Sequence, residues 1–381
     1  MPATVTTVPP TCVAAYDVAR ANARHRPALL SAMAAVMDGN QFILGDRLRA
    51  FEQSFAEQSG AAHCIGVGNG LDALTLALRA LGVGRDDEVI VPAYTFIATW
   101  LAVSNLGARP VPVDVMHDGN IDPCLIAAAV TARTRAIVPV HLFGRIADMD
   151  AILHVAGNFG LPVVEDAAQA HGAERRGRRV GSFGALSAFS FYPTKNLGAL
   201  GDGGAVCTND PALAAAVRSL RNYGSVQKYR HDVLGCNSRL DDLQAAFLSV
   251  KLPALAAAND SRRSVAGRYR AALSGLDGIT CPDAGQDGMV WHQFVVRSAD
   301  RDSLRSGLAL AGVGTDIHYP AAPFDQPCYS GQHDRSRFPV AVELASQVLS
   351  LPMAEYLSEA EVRHVIKSTK KAARRTMAAV A

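Results

Sequence analysis

An α/β protein on a mostly parallel sheet is predicted, and three observations carry the prediction. Short apolar runs alternate with helical patterns between about residues 63 and 208, and these strands read as nearly all apolar, as strands covered on both faces do. The chain has 381 residues, which suggests two domains or one large domain with a smaller one. After Asn237, Ser238, Arg239, Leu240 and Asp241 the texture changes to a long helical stretch followed by an isolated strand, which marks a smaller α+β unit.

Each element follows from its pattern. Residues 1–25 read as an extended or partly helical arm. Leu29, Met33, Val36 and Met37 give the next stretch a helical period, and from Asp46 a second helix carries Leu48, Phe51 and Phe55 on one face. Strands are expected at 63–67, 88–91, 110–114, 136–140, 161–165, 187–191 and 204–208, with helices at 71–81, 95–106, 123–130 and 149–159 between them. Beyond 241 a helix runs to about 269, broken near Pro253, then a strand at 289–297, a helix at 301–311 and a closing helix at 359–380. The expected division is an arm at 1–25, a large domain at 26–250 and a small domain at 251–381.

Composition narrows the partners. Hydrophobic residues make up 49% and charged residues 19%, enough for a large core and against disorder. A formal charge of +2 gives no reason to expect nucleic acid or an anionic membrane. Seven scattered cysteines without a Cys-x-x-Cys read as reduced thiols, most of them small core residues, and exclude a disulfide framework or zinc site. No signal peptide and no apolar run of membrane-spanning length is visible, so a soluble cytoplasmic protein is expected. The run Lys370, Lys371, Arg374, Arg375 reads as a solvated helix face.

Three strand ends carry chemistry. The run Ser190, Phe191, Tyr192, Pro193, Thr194, Lys195 sets a lysine on a tight, semi-buried turn, where an ammonium loses its proton readily and a Schiff base can form. An upstream strand ends in Glu165 and Asp166, and a carboxylate there can pair with a protonated pyridine nitrogen. Gly66, Gly68 and Gly70 sit where a strand hands over to a helix, where free amides can meet an anion. Taken singly, the glycines are an ordinary turn, Asp166 a helix cap and Lys195 a surface lysine. Their order along an α/β chain brings all three to one crevice at the carboxyl ends of the strands. That set is what a pyridoxal phosphate (PLP) site requires. No Gly-x-Ser-x-Gly elbow and no spaced His/Cys pair supports a hydrolase or a metal site.

These motifs, with Asn69-Gly70-Leu71-Asp72, Tyr94-Thr95-Phe96-Ile97-Ala98-Thr99, His141-Leu142-Phe143-Gly144, Gln169-Ala170-His171-Gly172, Asn237-Ser238-Arg239 and His318-Tyr319-Pro320, run in fixed order over nearly the whole chain. The chain thereby resembles the DegT-type nucleotide-sugar aminotransferases, PLP enzymes of the aspartate-aminotransferase fold. The resemblance implies fold type I with a seven-stranded sheet. Lys195 would be the Schiff-base lysine and acid–base, cycling the cofactor through pyridoxamine phosphate. Asp166 would pair with the ring nitrogen, Gln169 with the ring hydroxyl, and Phe96 would stack on the ring. Gly70, Leu71 and Ser190 would hold the phosphate, with Asn237 of the partner subunit reaching in, which implies a homodimer with shared sites. Tyr229 and Arg230 on a basic loop, and His318 and Tyr319, would meet the sugar nucleotide. An ordinary basic loop and a structural Tyr-Pro turn are the competing readings. Arg239 reads equally as a carboxylate partner and as an interface salt bridge. His292 reads as a packed histidine.

Leu71 stands where many relatives carry a hydroxyl, so only its amide can serve. Gly201-Asp202-Gly203-Gly204 and Asn196-Leu197-Gly198-Ala199-Leu200 resemble the branch that acts on 3-keto sugars. The implied reaction moves an amino group from L-glutamate to a nucleotide-linked, dTDP-type 3-keto-6-deoxyhexose. A 4-keto-sugar aminotransferase and a non-catalytic PLP-binding partner protein are the alternatives.

Overall fold

The computed structural model describes residues 12–283 and 288–380, with no account of the side chains of 375–380; residues 1–11 of the expected arm lie outside the described residues. Seven strands form one mixed sheet in the order His63–Val67, Gly204–Thr208, Leu186–Ser190, Val164–Asp166, Thr134–Ile137, Glu88–Pro92, Arg109–Val113. Single bridges, Ile137 to Val163 and Val140 to Asp166, join its two halves. Gly204–Thr208 runs antiparallel to both neighbours and the other six strands run parallel to one another, as expected for fold type I. The strand seen in the sequence at 136–140 forms its ladder only at Thr134–Ile137, because Pro139 has no amide to give and the chain turns toward His141.

Both faces of the sheet are covered. On one side pack the helices Gly70–Ala80, Ala98–Ser104 and Pro211–Leu220, with Leu74, Trp100 and Val217 fully or nearly fully buried. On the other lie Asp46–Ser59, Met149–Asn158 and Asp242–Lys251, contributing Phe51, Phe55, Ile152 and Leu248. Phe55 meets Phe189 and Phe191 edge to face at centroid distances of 5.0 and 5.1 Å. Such pairs add to the area term and hold the strand that delivers Ser190 and the lysine turn.

The long helical stretch breaks as Pro253 requires, into Asp242–Lys251, a single tight turn at Leu252–Ala254, and Leu255–Leu273. A third apolar cluster gathers Tyr269, Phe294, Leu304, Leu308, Leu349 and Val365. The strand expected at 289–297 is confined to Phe294–Arg297, antiparallel to Val348–Leu351. Trp291 lies at φ 47°, so the chain before it cannot continue the ladder, and Val290 N instead donates to Gly144 O at 3.1 Å. Val13 bridges Val313 and Arg20 makes a bidentate pair with Glu361, so residues 12–25 strap across this cluster. The cysteine expectation is corrected: only Cys64 and Cys207 are buried, whereas Cys12, Cys124 and Cys328 are exposed. No helix among the described residues is long and apolar enough to cross a membrane.

Candidate active site

The helix Gly70–Ala80 begins under an Asn69 cap whose Oδ1 accepts from Asp72 N at 2.9 Å. That cap leaves the amides of Gly70 and Leu71 at the positive end of the helix with no hydrogen bond among the described residues. Ser190, the last residue of its strand, packs directly on Gly70: a Cβ at residue 70 would sit 2.6 Å from the serine Cβ. Gly204 lies just as close to the turn, since a Cβ there would fall 2.4 Å from Asn69 O. The result is a small cradle of amides and one hydroxyl, suited to a phosphate.

Asp166 ends its strand, buried, and accepts from Thr99 Oγ1 at 2.8 Å and Ala168 N at 3.2 Å. Burial pushes its carboxyl above the ordinary range, and the threonine and amide bonds only partly offset this. Nearby Lys195 and His141 also pull it down, and burial outweighs them all. Its neighbour Glu165 points the other way and is spent on structure. It accepts from Phe183 N and Gly184 N at 2.9 and 2.8 Å and pairs with His141 Nε2 at 3.0 Å. His141 Nδ1 accepts from Ala147 N, so Nε2 carries the proton given to Glu165.

Gln169 is held at both ends, with Oε1 accepting from Phe143 N at 2.7 Å and Nε2 donating to Tyr319 Oη at 2.9 Å. Tyr94 Oη donates to Tyr319 O, and the Phe96 ring lies 5.5 Å from the Tyr319 ring while half of its surface stays open. Thus Phe96, Asp166, Gln169 and Tyr319 are brought together from three separate stretches of chain.

Lys195 sits on a turn closed by its own amide to Tyr192 O at 2.8 Å and by Ala199 N to Phe191 O at 2.7 Å. Gly198 is required there, because a Cβ would lie 2.5 Å from Pro193 O. Desolvation brings the lysine down to about 8, although Asp166 pulls the other way. His171, buried nearby, is pushed down to about 3 by the same desolvation and by the charge of Lys195. Beside the turn opens a cavity of about 300 Å³ lined by Tyr16, Thr194, His292, Gln293, Asp316 and His318, among others. His318 Nδ1 lies 2.8 Å from Ser350 Oγ.

Other expected site residues stand apart from this cluster within one chain. Tyr229 and Arg230 lie on an exposed hairpin, where Arg230 pairs with Asp232 at 2.8 Å. Asn237 is exposed, and Arg239 bonds Asn222 Oδ1 at 3.0 Å with its guanidinium over the Tyr223 ring. Their segment is tied to the glycine turn through Ser238, which takes a bond from Gly68 N and gives one to Asp72 Oδ2. Sequence reasoning missed Thr99, Tyr94 and Tyr16. The helix expected from residue 95 begins only at Ala98, so Thr95 stands in the bend before it, yet its hydroxyl still meets that of Thr99 at 3.0 Å.

The chain is 48% identical over 365 residues to a dTDP-3-amino-3,4,6-trideoxy-alpha-D-glucose transaminase of Streptomyces venezuelae, covering 95% of each chain. The structure matches that of S. venezuelae DesV in complex with a ketimine intermediate, with TM-score 0.94, 48% identity, and 96% and 99% of the two chains covered. It also matches NtdA from Bacillus subtilis with bound cofactor PMP, with TM-score 0.90, 29% identity, and 97% and 86% covered. The sequence profile of one family spans residues 24–370, and with it the chain belongs to the DegT/DnrJ/EryC1/StrS aminotransferase family.

Proposed function

We propose that this chain is a PLP-dependent aminotransferase carrying an amino group from L-glutamate to a dTDP-linked 3-keto-6-deoxyhexose. The observation that carries the reading is the pair formed by Lys195, depressed to about 8, and the buried Asp166, whose carboxyl burial raises, next to an amide cradle. The sugar and its regiochemistry rest on the likeness to the S. venezuelae transaminase.

The residues fit the cofactor. The amides of Gly70 and Leu71 and the hydroxyl of Ser190 hold the phosphate, joined by Asn237 of the partner subunit. Asp166 supplies the counter-charge to the ring nitrogen, Gln169 faces the ring hydroxyl, and Phe96 covers the ring. When bound, PLP supplies an aldehyde that condenses with amines and a ring that takes up electron density from the substrate carbon. Lys195 Nζ, neutral in useful amount at pH 7–8, accepts the proton from the donor's α-carbon and returns it on the other side of the transfer. Thr99 fixes the Asp166 carboxylate so that it stays aimed. His318 and Tyr319 line the sugar side. Tyr229 and Arg230 reach the diphosphate, and Arg239 meets the donor's carboxylate.

The active unit in this reading is a cytoplasmic homodimer. Supporting it, Leu30, Met33, Met37, Phe42 and Ile43 are exposed in one stretch, and Val226, Tyr229, Val233 and Leu234 in another. The domain division at 26–250 and 251–381 belongs to the same reading; the third apolar cluster, which draws mainly on residues beyond 265, supports it.

The test is the absorbance spectrum of purified protein before and after L-glutamate. A visible band that moves to the pyridoxamine form supports cofactor, donor and half-reaction together; a band that stays put removes glutamate or turnover. NMR of the product from 3-keto and 4-keto sugars then decides the position, and turnover of the 4-keto sugar alone overturns the 3-keto assignment.

A further inference from the structure

Behind the lysine turn runs a chain of side-chain amides whose hydrogen bonds admit one arrangement. Asn196 Nδ2 donates to Val290 O at 3.0 Å and to Asn259 Oδ1 at 2.9 Å, and Asn259 Nδ2 donates to His171 O at 2.9 Å. Val290 O and His171 O are carbonyls that can only accept, so neither amide can be flipped. Asn196 therefore turns its Oδ1 toward His292 Nδ1, 3.0 Å away, and His292 must donate from Nδ1. Its Nε2 then holds a lone pair.

That lone pair has no hydrogen-bond partner among the described residues and Nε2 is not sealed from solvent, so it meets open space. The open space beside His292 is the 300 Å³ cavity. Burial and the nearby charge of Lys195 keep His292 well below its ordinary range, hence neutral. A neutral acceptor facing a cavity selects a ligand that brings a donor. Carboxylates and diphosphates offer only acceptors. Among the groups of the proposed reaction, the sugar hydroxyls and the ammonium of the amino donor have hydrogens to give; the ammonium is consumed in forming the bond to the cofactor, which leaves the hydroxyls for this wall.

We propose that His292 binds a ring hydroxyl of the keto sugar through Nε2 and, through Nδ1 and Asn196, holds the Lys195 turn against that sugar. The inference rests on the functional reading above and adds a sugar-recognition residue to it.

The two roles separate by substitution of the loaded enzyme. In His292→Asn the amide can replace the Nδ1 donor and lacks the Nε2 acceptor; in His292→Gln the reverse holds. Calorimetry with a dTDP-3-amino-3,6-dideoxyhexose and with dTDP alone reads the sugar contact. A pH titration of the cofactor absorbance reads the lysine turn. Loss of one net hydrogen bond predicts about tenfold weaker binding of the amino-sugar nucleotide by His292→Asn, with dTDP binding and the titration as in wild type. His292→Gln should keep the sugar affinity and move the titration. The proposal is overturned if His292→Asn binds the amino sugar as wild type does, or loses dTDP equally. It also falls, with no substitution needed, if wild type binds the amino-sugar nucleotide no more tightly than dTDP. Wild-type enzyme that makes no amino sugar at all sinks the functional reading instead. Enzyme that makes it while His292→Asn binds normally sinks only the role of His292.

Discussion

At the scale of single residues, the lysine and the aspartate are held in states that water would not allow. A lysine whose folded value is about 8 rather than its ordinary 10.5 holds its proton more tightly in the unfolded chain between those pH values. The folded apoprotein therefore bears the full desolvation penalty below about pH 8, and the penalty is lifted as pH rises toward 10.5. Lys195→Met, which keeps the length and removes the charge, should raise the Tm of apoprotein at pH 7, with the advantage shrinking above pH 8. A Tm unchanged at pH 7 would count against a desolvated lysine. The same variant should abolish turnover. Asp166→Asn removes the counter-charge and should lower kcat/KM by about 10²–10³, the range seen when one preorganised electrostatic partner is lost; steady-state kinetics checks it. Lys195 and Asp166 could be singled out in the sequence because each stands at or just beyond the end of an apolar strand, whereas Gln169 and the phosphate role of Ser190 came from the family resemblance. Asn259 was not. It meets Asn196 across 63 positions, and nothing local to either residue announces the pairing.

Among elements, the glycine turn, its helix and two strand ends form the cradle by close approach of backbone. Gly204→Ala would put a methyl 2.4 Å from Asn69 O, against main chain that cannot swing away. Overpacking of that kind costs about 1–3 kcal/mol. The variant should lose both stability and phosphate affinity, read by denaturant titration and by cofactor binding. Stability lost with full affinity retained would mean that the cradle does not depend on this contact. Most strands and helices could be read from apolar period. The antiparallel direction of Gly204–Thr208 could not, since direction leaves no trace in composition. Val348–Leu351 escaped for another reason: four residues following a helix, paired with a strand 51–57 positions earlier, look like more of the helix. The helix Pro211–Leu220 did carry a signal, because Asp210 caps it and Pro211 opens it.

For the whole molecule, the strap at residues 12–25 ties the chain's beginning to its last helix. Glu361 is held at about 2 by Arg20 first and by Ser358, below its ordinary 4.5. A lowered folded value gives stability that is present above about pH 4.5 and lost as pH falls toward 2. Residues 13–25 should exchange amide hydrogens faster in that acid window, and Glu361→Gln should show the same at neutral pH. Exchange that does not change in the variant would mean the strap is held by its other contacts, Val13 to Gly312 and Gly314 and residues 17 and 20 to Tyr356. Met37→Asp, on the exposed apolar stretch, should shift sedimentation from dimer toward monomer, and an unchanged dimer would place the interface elsewhere.

The strand order also dictates when a growing chain can become a protein. His63 finds its ladder partner in Thr208, and Ser190 finds Gly204. A nascent chain leaving the ribosome thus carries its first strand unpaired until about 145 further residues have been made. Helices and the strands at 88–137 can dock earlier because their contacts are nearer in sequence. The anion cradle is late by construction, assembled only when the reversed strand slots between its neighbours. Until then the exposed edge is the place where truncated or stalled chains would stick to one another.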